Sequence, residues 1–508
     1  MIVRPLFARA CAVVILSLVP NLRAQSTLTI ALSANINTLD PQMSGSVGSD
    51  LSVSSHLYSS LLTRGADLKL HPSIASSWRA LDNNTWEFHL RAGIRFPDGE
   101  PLDAATVAWN IARVQNPHMN ARIRPWFTSI KQVQVLSPTL LRIVTTAPFP
   151  ALPEQLSMLF LMAPQWTSQH KPAISAMGTG PYDIAVFAVG DRIELRAKAH
   201  YWGIQPSFDR VVFRILTDPE SRVSALLAGE VDFIRNIPVE DFARIRSSHR
   251  AYAGAGSSAR GMIVKFNTLT PPFKNNRNLR LALNYAVDKQ AILDTILSGA
   301  GSVLNCQMLT PEYFGYNLSL RPIPYNPEKA RQLFRLSGVP KGTIIDLDVP
   351  INVYYASDEI TQAVAGQIEE VLGIGIRIHE MDFSIYMNKY VKAQSMAPMQ
   401  YITQAWPTLD ADGLLTLFAP GNPYSYWDDK QFGDLLLQGR SSMDVSTRRL
   451  AYQRATQRMC DEAPGIFLLT EPLTYAVSNR VSWTVRNDDW IQASDFAPAA
   501  STRTRGKR

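Results

Sequence analysis

Between Asn84 and Arg113 the hydrophobic pattern changes its period once, from two residues to nearly four. Trp86, Phe88 and Leu90 alternate with Glu87, His89 and Arg91, which predicts a strand with one buried face. Ile94 and Phe96 suggest a second short strand after Gly93, and Pro97-Asp98-Gly99 is turn chemistry. A helix follows, with Val107, Ile111 and Val114 on one apolar stripe. Asp103 is placed as its N-cap, because a carboxylate there accepts a hydrogen bond from a free backbone N–H of the first turn. Leu102 and Val107 have the spacing of a hydrophobic staple. No polar residue of this unit is placed for catalysis, so it reads as scaffold.

The same reading along the chain gives strands at Thr27 to Leu32, Val133–Val135, Leu140–Val144, Ile193–Arg196, Val211–Ile215 and Val231–Ile234. A helix from Leu51 carries His56 and Tyr58, and another runs from Glu220 to a terminating Gly229. Gly178-Thr179-Gly180-Pro181-Tyr182 reads as a backbone switch, with glycines free to take positive φ and Pro181 fixing the exit. Leu279, Leu283, Ala286 and Val287 share one helical face. Farther on, strand 344–349, amphipathic helix 360–372 and strand 374–378 alternate, which argues for an α/β lobe with a largely parallel sheet.

Several of these segments carry a resemblance. The order F-x-L-R-x-G-I-x-F-x-D-G-x-P-L-x-A from Phe88 to Ala104 resembles the signature of bacterial family 5 extracellular solute-binding proteins, the peptide- and nickel-binding receptors of ABC importers. Pro72 to Trp78, Gly178 to Tyr182, the string from Tyr201-Trp202-Gly203 to Phe233, Leu279 to Lys289 and Tyr325 to Ala330 are similar to further family segments, in the right order. The resemblance covers nearly the whole chain beyond the first residues. It implies an α/β, two-lobed type II periplasmic binding fold with an extra subdomain on the first lobe. The first lobe is then expected from 25–48, 178–266 and 477–508, the subdomain from 49–177 and the second lobe from 267–476. Crossings near Phe266 and Val477 form the expected hinge, and ligand binds between the lobes and closes them.

The first residues read as an address. Arg4 and Arg9 precede an apolar run from Ala10 to Val19, then Pro20 and Leu22-Arg23-Ala24, the order of a cleavable secretory signal peptide. Residues 1–24 hold three arginines and no acidic residue, so their removal takes the net charge from +7 to +4. That surplus is mild and unclustered, which does not suggest a nucleic-acid partner. The expected location is the periplasm, and the expected partners are a small-molecule or peptide ligand and an inner-membrane ABC permease, with the protein itself a monomer. Cys306 and Cys460 remain after cleavage; either they pair or they are two buried free thiols, and the second is the blander expectation.

Enzyme chemistry finds little support. The eight histidines never fall at metal-ligand spacing, and neither a Gly-x-Ser-x-Gly elbow nor a P-loop is present. Gly254-Ala255-Gly256 lacks the third glycine of a nucleotide loop and has no convincing strand before it. No cofactor and no resident metal are expected.

Candidate ligand contacts come from four places. Ser44, Gly45 and Ser46 open a small-residue loop that either lets a ligand approach the main chain or is a solvated connector; alone it reads as connector. Arg124 and Trp126 lie where metal-chelate members of the family turn arginine and tryptophan to the cleft, against the plainer reading of a surface Arg beside a core Trp. Tyr354 and Tyr355 follow Val353, which occupies the place of the arginine that holds a dipeptide's carboxylate in dipeptide receptors. The stretch Gln404 to Leu415 is similar to the family's ligand loop and contributes Trp406, Asp410 and Asp412. The resemblance puts Asp412 where peptide receptors pair a ligand amine; the plainer role is a helix N-cap. Without the dipeptide arginine, a longer peptide or another amine-bearing solute, such as an opine or metal chelate, is expected.

Overall fold

Thr27–Leu32 lies inside a ten-stranded mixed sheet, paired in parallel with Arg210–Ile215 on one side and Phe233–Arg235 on the other. The computed structural model describes residues 26–351, 353–392 and 395–499, so the expected signal segment lies outside it. The sheet begins with Tyr182–Ala188 and Arg192–Ala197, which reach Arg210–Ile215 by antiparallel pairing. Past Phe233–Arg235 come the two longest strands, Gly465–Ser478 and then Ala251–Phe266. Met399–Gln404, Ile344–Ile351 and Gly375–Asp382 complete it, the last three mutually parallel as the strand–helix alternation requires.

The two long strands serve both lobes. Ala251 and Ala253 pack in a core with Val223, Ile234 and Ala476, whereas Met262, Val264 and Phe266 pack with Leu279, Leu283, Leu347 and Ile368. Their antiparallel register shifts between Ser257 and Gly261, opposite Pro472 and Thr470. The change of core thus falls upstream of Phe266 and Val477, because both strands run on past the crossing without a turn. Gly254 belongs to the strand Ala251–Phe266 rather than to a loop.

The unit at 84–113 folds largely as its periods dictate. Thr85–Leu90 is a strand of a four-stranded antiparallel sheet, and Asp103 caps Ala104–Gln115 by accepting from Thr106 N at 3.0 Å. Two details differ. Ile94 and Phe96 are buried, but only one isolated bridge, Arg95 to Pro101, joins this segment to a partner. Glu87 alternates into the polar set yet is buried, its carboxylate held by Arg79 at 2.7 Å and Arg142 at 2.9 Å. The glycines of Gly178-Thr179-Gly180 do not take positive φ. They allow close approach instead: a Cβ on Gly180 would lie 2.5 Å from His56 O, and one on Gly178 would collide with Leu57 O.

The expectation of free thiols is wrong. Cys306 and Cys460 form a disulfide across a Cα–Cα distance of 5.2 Å. Cys306 is buried, and the fold brings it to the helix Val445–Glu462, a proximity that 154 residues of separation conceal in the sequence.

Candidate ligand-binding site

A cavity of about 690 Å³ opens where the two long strands cross between the cores. Arg260 and Glu471, on either side of the register shift, lie at its base. From the first lobe it is lined by the end of the opening strand at Ala31 to Ala34 and by the loop Gly45 to Ser49, which enters a single π turn, Val47–Leu51. From the second lobe come Val353 to Tyr355, Phe383 and Ala405 to Pro407. A separate cavity of about 660 Å³ sits within the first lobe and its subdomain, lined by His56, Tyr201, Trp202 and Trp490. It lies away from the crossing, so lobe closure would not seal a ligand inside it.

The base of the interlobe cavity is a string of alternating charges. Arg235 Nη2 donates to Asp489 Oδ1 at 3.1 Å, Arg260 Nη2 donates to Asp489 Oδ2 at 3.0 Å, and Arg260 Nε lies 3.0 Å from Glu471 Oε2. Burial works against the charges of Arg260, Glu471 and Asp489. For Arg260 it is outweighed by Asp489 and Glu471, which raise its pKa. For Glu471 burial prevails over Arg260 and lifts the carboxyl above its usual range, while Asp489 is held below its range because two arginines overcome burial. Asp489 also has φ +65°, a costly conformation for a side chain other than glycine. Asn236 and Leu409, which line the same cavity, share that conformation.

Trp406 forms the apolar wall. Its backbone N–H donates to Tyr313 Oη at 2.6 Å, and its ring meets Trp126 edge-on at 6.1 Å. Trp126 in turn lies over Gly45, 3.4 Å from where a Cβ would be. Trp406 lies against Gly413, where a Cβ would come within 2.5 Å of the indole Cγ. Hydrogen bonds also join the two sides: Arg64 Nη2 donates to Thr408 O at 2.6 Å and Val239 N to Tyr355 Oη at 3.3 Å.

Of the residues picked from sequence, Gly45, Ser46, Tyr354, Tyr355 and Trp406 line this cavity, with Trp126 behind Trp406. Ser44 lies just outside and donates to Asp50 at 2.9 Å. Arg124 is exposed, its Nε donating to Gln115 O at 3.0 Å. The two aspartates need correction. Asp410, not Asp412, caps Ala411–Thr416, accepting from Asp412 N at 3.0 Å, and it forms a buried pair with Arg448 at 2.8 Å. Asp412 is paired with Arg440 at 2.9 Å, and neither carboxylate lines the cavity. Arg448 holds both oxygens of Asp410, and Arg440 holds Oδ1 of Asp412.

Sequence reading passed over Arg235, Arg260, Glu471 and Asp489. Glu471 did leave a signal, being a lone acid in the apolar run from Ile466 to Val477.

Two lobes joined by paired crossing strands, with a lined cavity at the crossing, define a type II periplasmic binding fold. The chain belongs to the bacterial extracellular solute-binding proteins, family 5, whose middle-region model matches residues 69–437. It is 27% identical over 476 residues to the glutathione-binding protein GsiB of Salmonella typhi, covering 90% of this chain and 92% of that one. Among solved structures it is similar to AgaA of A. tumefaciens R10 in complex with agropinic acid, with TM-score 0.77, 24% identity and 93% and 99% of the two chains covered. It is also similar to the periplasmic binding protein DppA of Helicobacter pylori in complex with the peptide STSA, with TM-score 0.79, 19% identity and 94% and 99% covered. The family consists of substrate-binding proteins, not enzymes. No described helix is long and apolar enough to cross a membrane.

Proposed function

We propose that this protein captures a peptide or peptide-like solute between its lobes and delivers it to the inner-membrane permease of an ABC importer, working as a periplasmic monomer after removal of residues 1–24. The observation that carries this reading is the cavity at the strand crossing, which offers an aromatic wall and both signs of charge. A volume of about 690 Å³ is in the range of small-ligand sites, roughly 300–1,000 Å³. GsiB, similar along most of its length, is named for a peptide, and that supports the solute class. We place the hinge at the register shifts, 257–261 and 470–472, in place of Phe266 and Val477; the expected limits of the subdomain are kept.

The proposed ligand contacts are Gly45, Ser46, Tyr354, Tyr355 and Trp406, with Arg260 and Glu471 replacing Asp410 and Asp412. A metal chelate is the second reading. The described residues hold no group of three His, Cys, Asp or Glu side chains suited to a metal ion, so such a ligand would arrive with its own donors. Native mass spectrometry of protein purified from its own periplasm tests the choice by the mass of a retained ligand. A retained peptide that also lowers the radius of gyration in solution scattering is the expected result. Binding of no peptide from a broad panel would overturn the reading.

A further inference from the structure

The second cavity, of about 660 Å³, carries an imbalance of charge that the interlobe cavity lacks. Among the described residues that line it there are two arginines, Arg64 and Arg91, and no aspartate or glutamate. Arg64 is buried and forms no ion pair among the described residues. Its Nη1 donates to Leu68 O at 2.5 Å and its Nη2 to Thr408 O, which leaves Nε without a partner. Burial prevails over the carboxylates of Glu154, Asp488 and Asp410 and lowers its pKa. Arg91 is exposed; its Nε donates to Ser73 O at 2.8 Å, and neither Nη has a partner among the described residues. His56 adds no charge, being neutral, with its ring nitrogens engaged by Ser52 O at 2.7 Å and Ala493 N at 2.9 Å.

The two cavities share a wall but not a charge. Along 488–493, Asp488, Asp489 and Ile491 line the interlobe cavity, whereas Trp490, Gln492 and Ala493 line the second. A buried guanidinium with no counter-ion in contact is costly, and an anion entering the second cavity offsets that cost at Arg64. The remaining lining decides what body the anion has. Half-buried Tyr201 and Trp202 supply a flat apolar wall. The hydroxyls of Ser73, Ser207 and Ser494 have no hydrogen-bond partner among the described residues. A purely apolar anion would strip water from those hydroxyls and leave them unpaired, whereas a hydroxylated ring satisfies both wall and hydroxyls.

We propose that this cavity, within the first lobe and its subdomain, is a second ligand site, for a hydroxylated ring carrying one anionic group, the chemistry of a sugar acid or a sugar phosphate. The anionic group lies on Arg64 and Arg91, and the ring lies on Tyr201 and Trp202. The site is independent of the peptide reading, because its lining residues stand apart from the interlobe cavity.

The test is calorimetry on the full chain with four probes that keep one ring and change its charge: glucuronate, glucose 6-phosphate, glucose and glucosamine. The two anions are expected to bind roughly ten- to a hundred-fold more tightly than glucose, the span of one hydrogen bond to a charged group, with glucosamine no tighter than glucose. Binding of either anion in this way bears the proposal out, and the tighter of the two names the anionic group. Arg91→Ala and Ser207→Glu both fall on exposed residues, one removing a positive charge and the other adding a negative one. Each is expected to weaken the anions toward the level of glucose, with thermal melting unchanged. Failure of both anions to bind, equal affinity for glucose, or anion binding that survives in both variants would overturn the proposal. So would anion binding lost in Trp406→Ala and kept in Arg91→Ala, because the anion would then occupy the interlobe cavity. None of these results bears on peptide capture, since no probe is a peptide.

Discussion

Gly413 holds the aromatic wall in place by having no side chain, so Gly413→Ala is a direct perturbation of the cavity. The added Cβ would lie 2.5 Å from Trp406 Cγ and nearer still to Cδ1. Carbon atoms in contact sit about 3.5–4.0 Å apart, so the indole must move by roughly 1 Å or more. Its own backbone is tied to Tyr313 Oη at 2.6 Å, and its edge contact with Trp126 has a centroid distance of 6.1 Å. Forcing a methyl into packed space costs about 1–3 kcal/mol, and a lost aromatic pair about 0.5–1.5 kcal/mol. Trp406 is only partly buried and borders the cavity, so the ring can swing into that space and the cost should fall near the lower end, about 1–2 kcal/mol. Alanine is also the better helix former by about 1 kcal/mol, which offsets part of this within Ala411–Thr416. The melting temperature should therefore move little, while near-ultraviolet circular dichroism of the Trp126–Trp406 pair changes and ligand affinity drops. An alanine variant with wild-type dichroism and wild-type affinity would refute the close packing on which the site is built.

Four further outcomes are expected. Replacing Cys306 and Cys460 with alanine opens a 154-residue loop, at a chain-entropy cost of about 5 kcal/mol; a large fall in melting temperature is expected, and thiol titration of unreduced native protein should find neither cysteine. His56 is neutral when buried, its pKa lowered to about 4 from 6.5 by desolvation. Between those values the unfolded chain takes up a proton that the folded site refuses, so stability falls as pH drops through the window, by roughly 3 kcal/mol at full effect. Urea midpoints against pH should show this slope, reduced in His56→Gln. Asp410→Asn breaks a buried pair with Arg448 and should cost about 3–5 kcal/mol. Asp412→Asn, facing a partly exposed Arg440, should cost about 1 kcal/mol and leave affinity unchanged, by urea melts and calorimetry respectively.

Local periodicity made most of the scaffold readable. The Asp103 cap, the strand at 85–90 and the helix face of Leu279 and Leu283 each depend on residues within a few positions of one another. The charged string was hidden because Arg235 and Asp489 stand 254 residues apart, and nothing in either neighbourhood announces the other. Asp410 and Asp412 show the opposite failure. Their spacing was legible, but Arg448 and Arg440, which occupy them, come from two other helical segments. Likewise the glycines of Gly178-Thr179-Gly180 suggested backbone freedom, when the need for them is set by the carbonyls of His56 and Leu57 more than a hundred residues earlier.

The disulfide has a covalent consequence as well as an energetic one. Residues 306–460 form a closed ring containing the strands Ile344–Ile351, Gly375–Asp382 and Met399–Gln404. A protease that cuts once anywhere inside that ring releases no fragment: the protein keeps its full mass on a non-reducing gel and separates into two pieces only after reduction. Outside the ring, for instance in the turn between Ala188 and Arg192, one cut divides the chain at once.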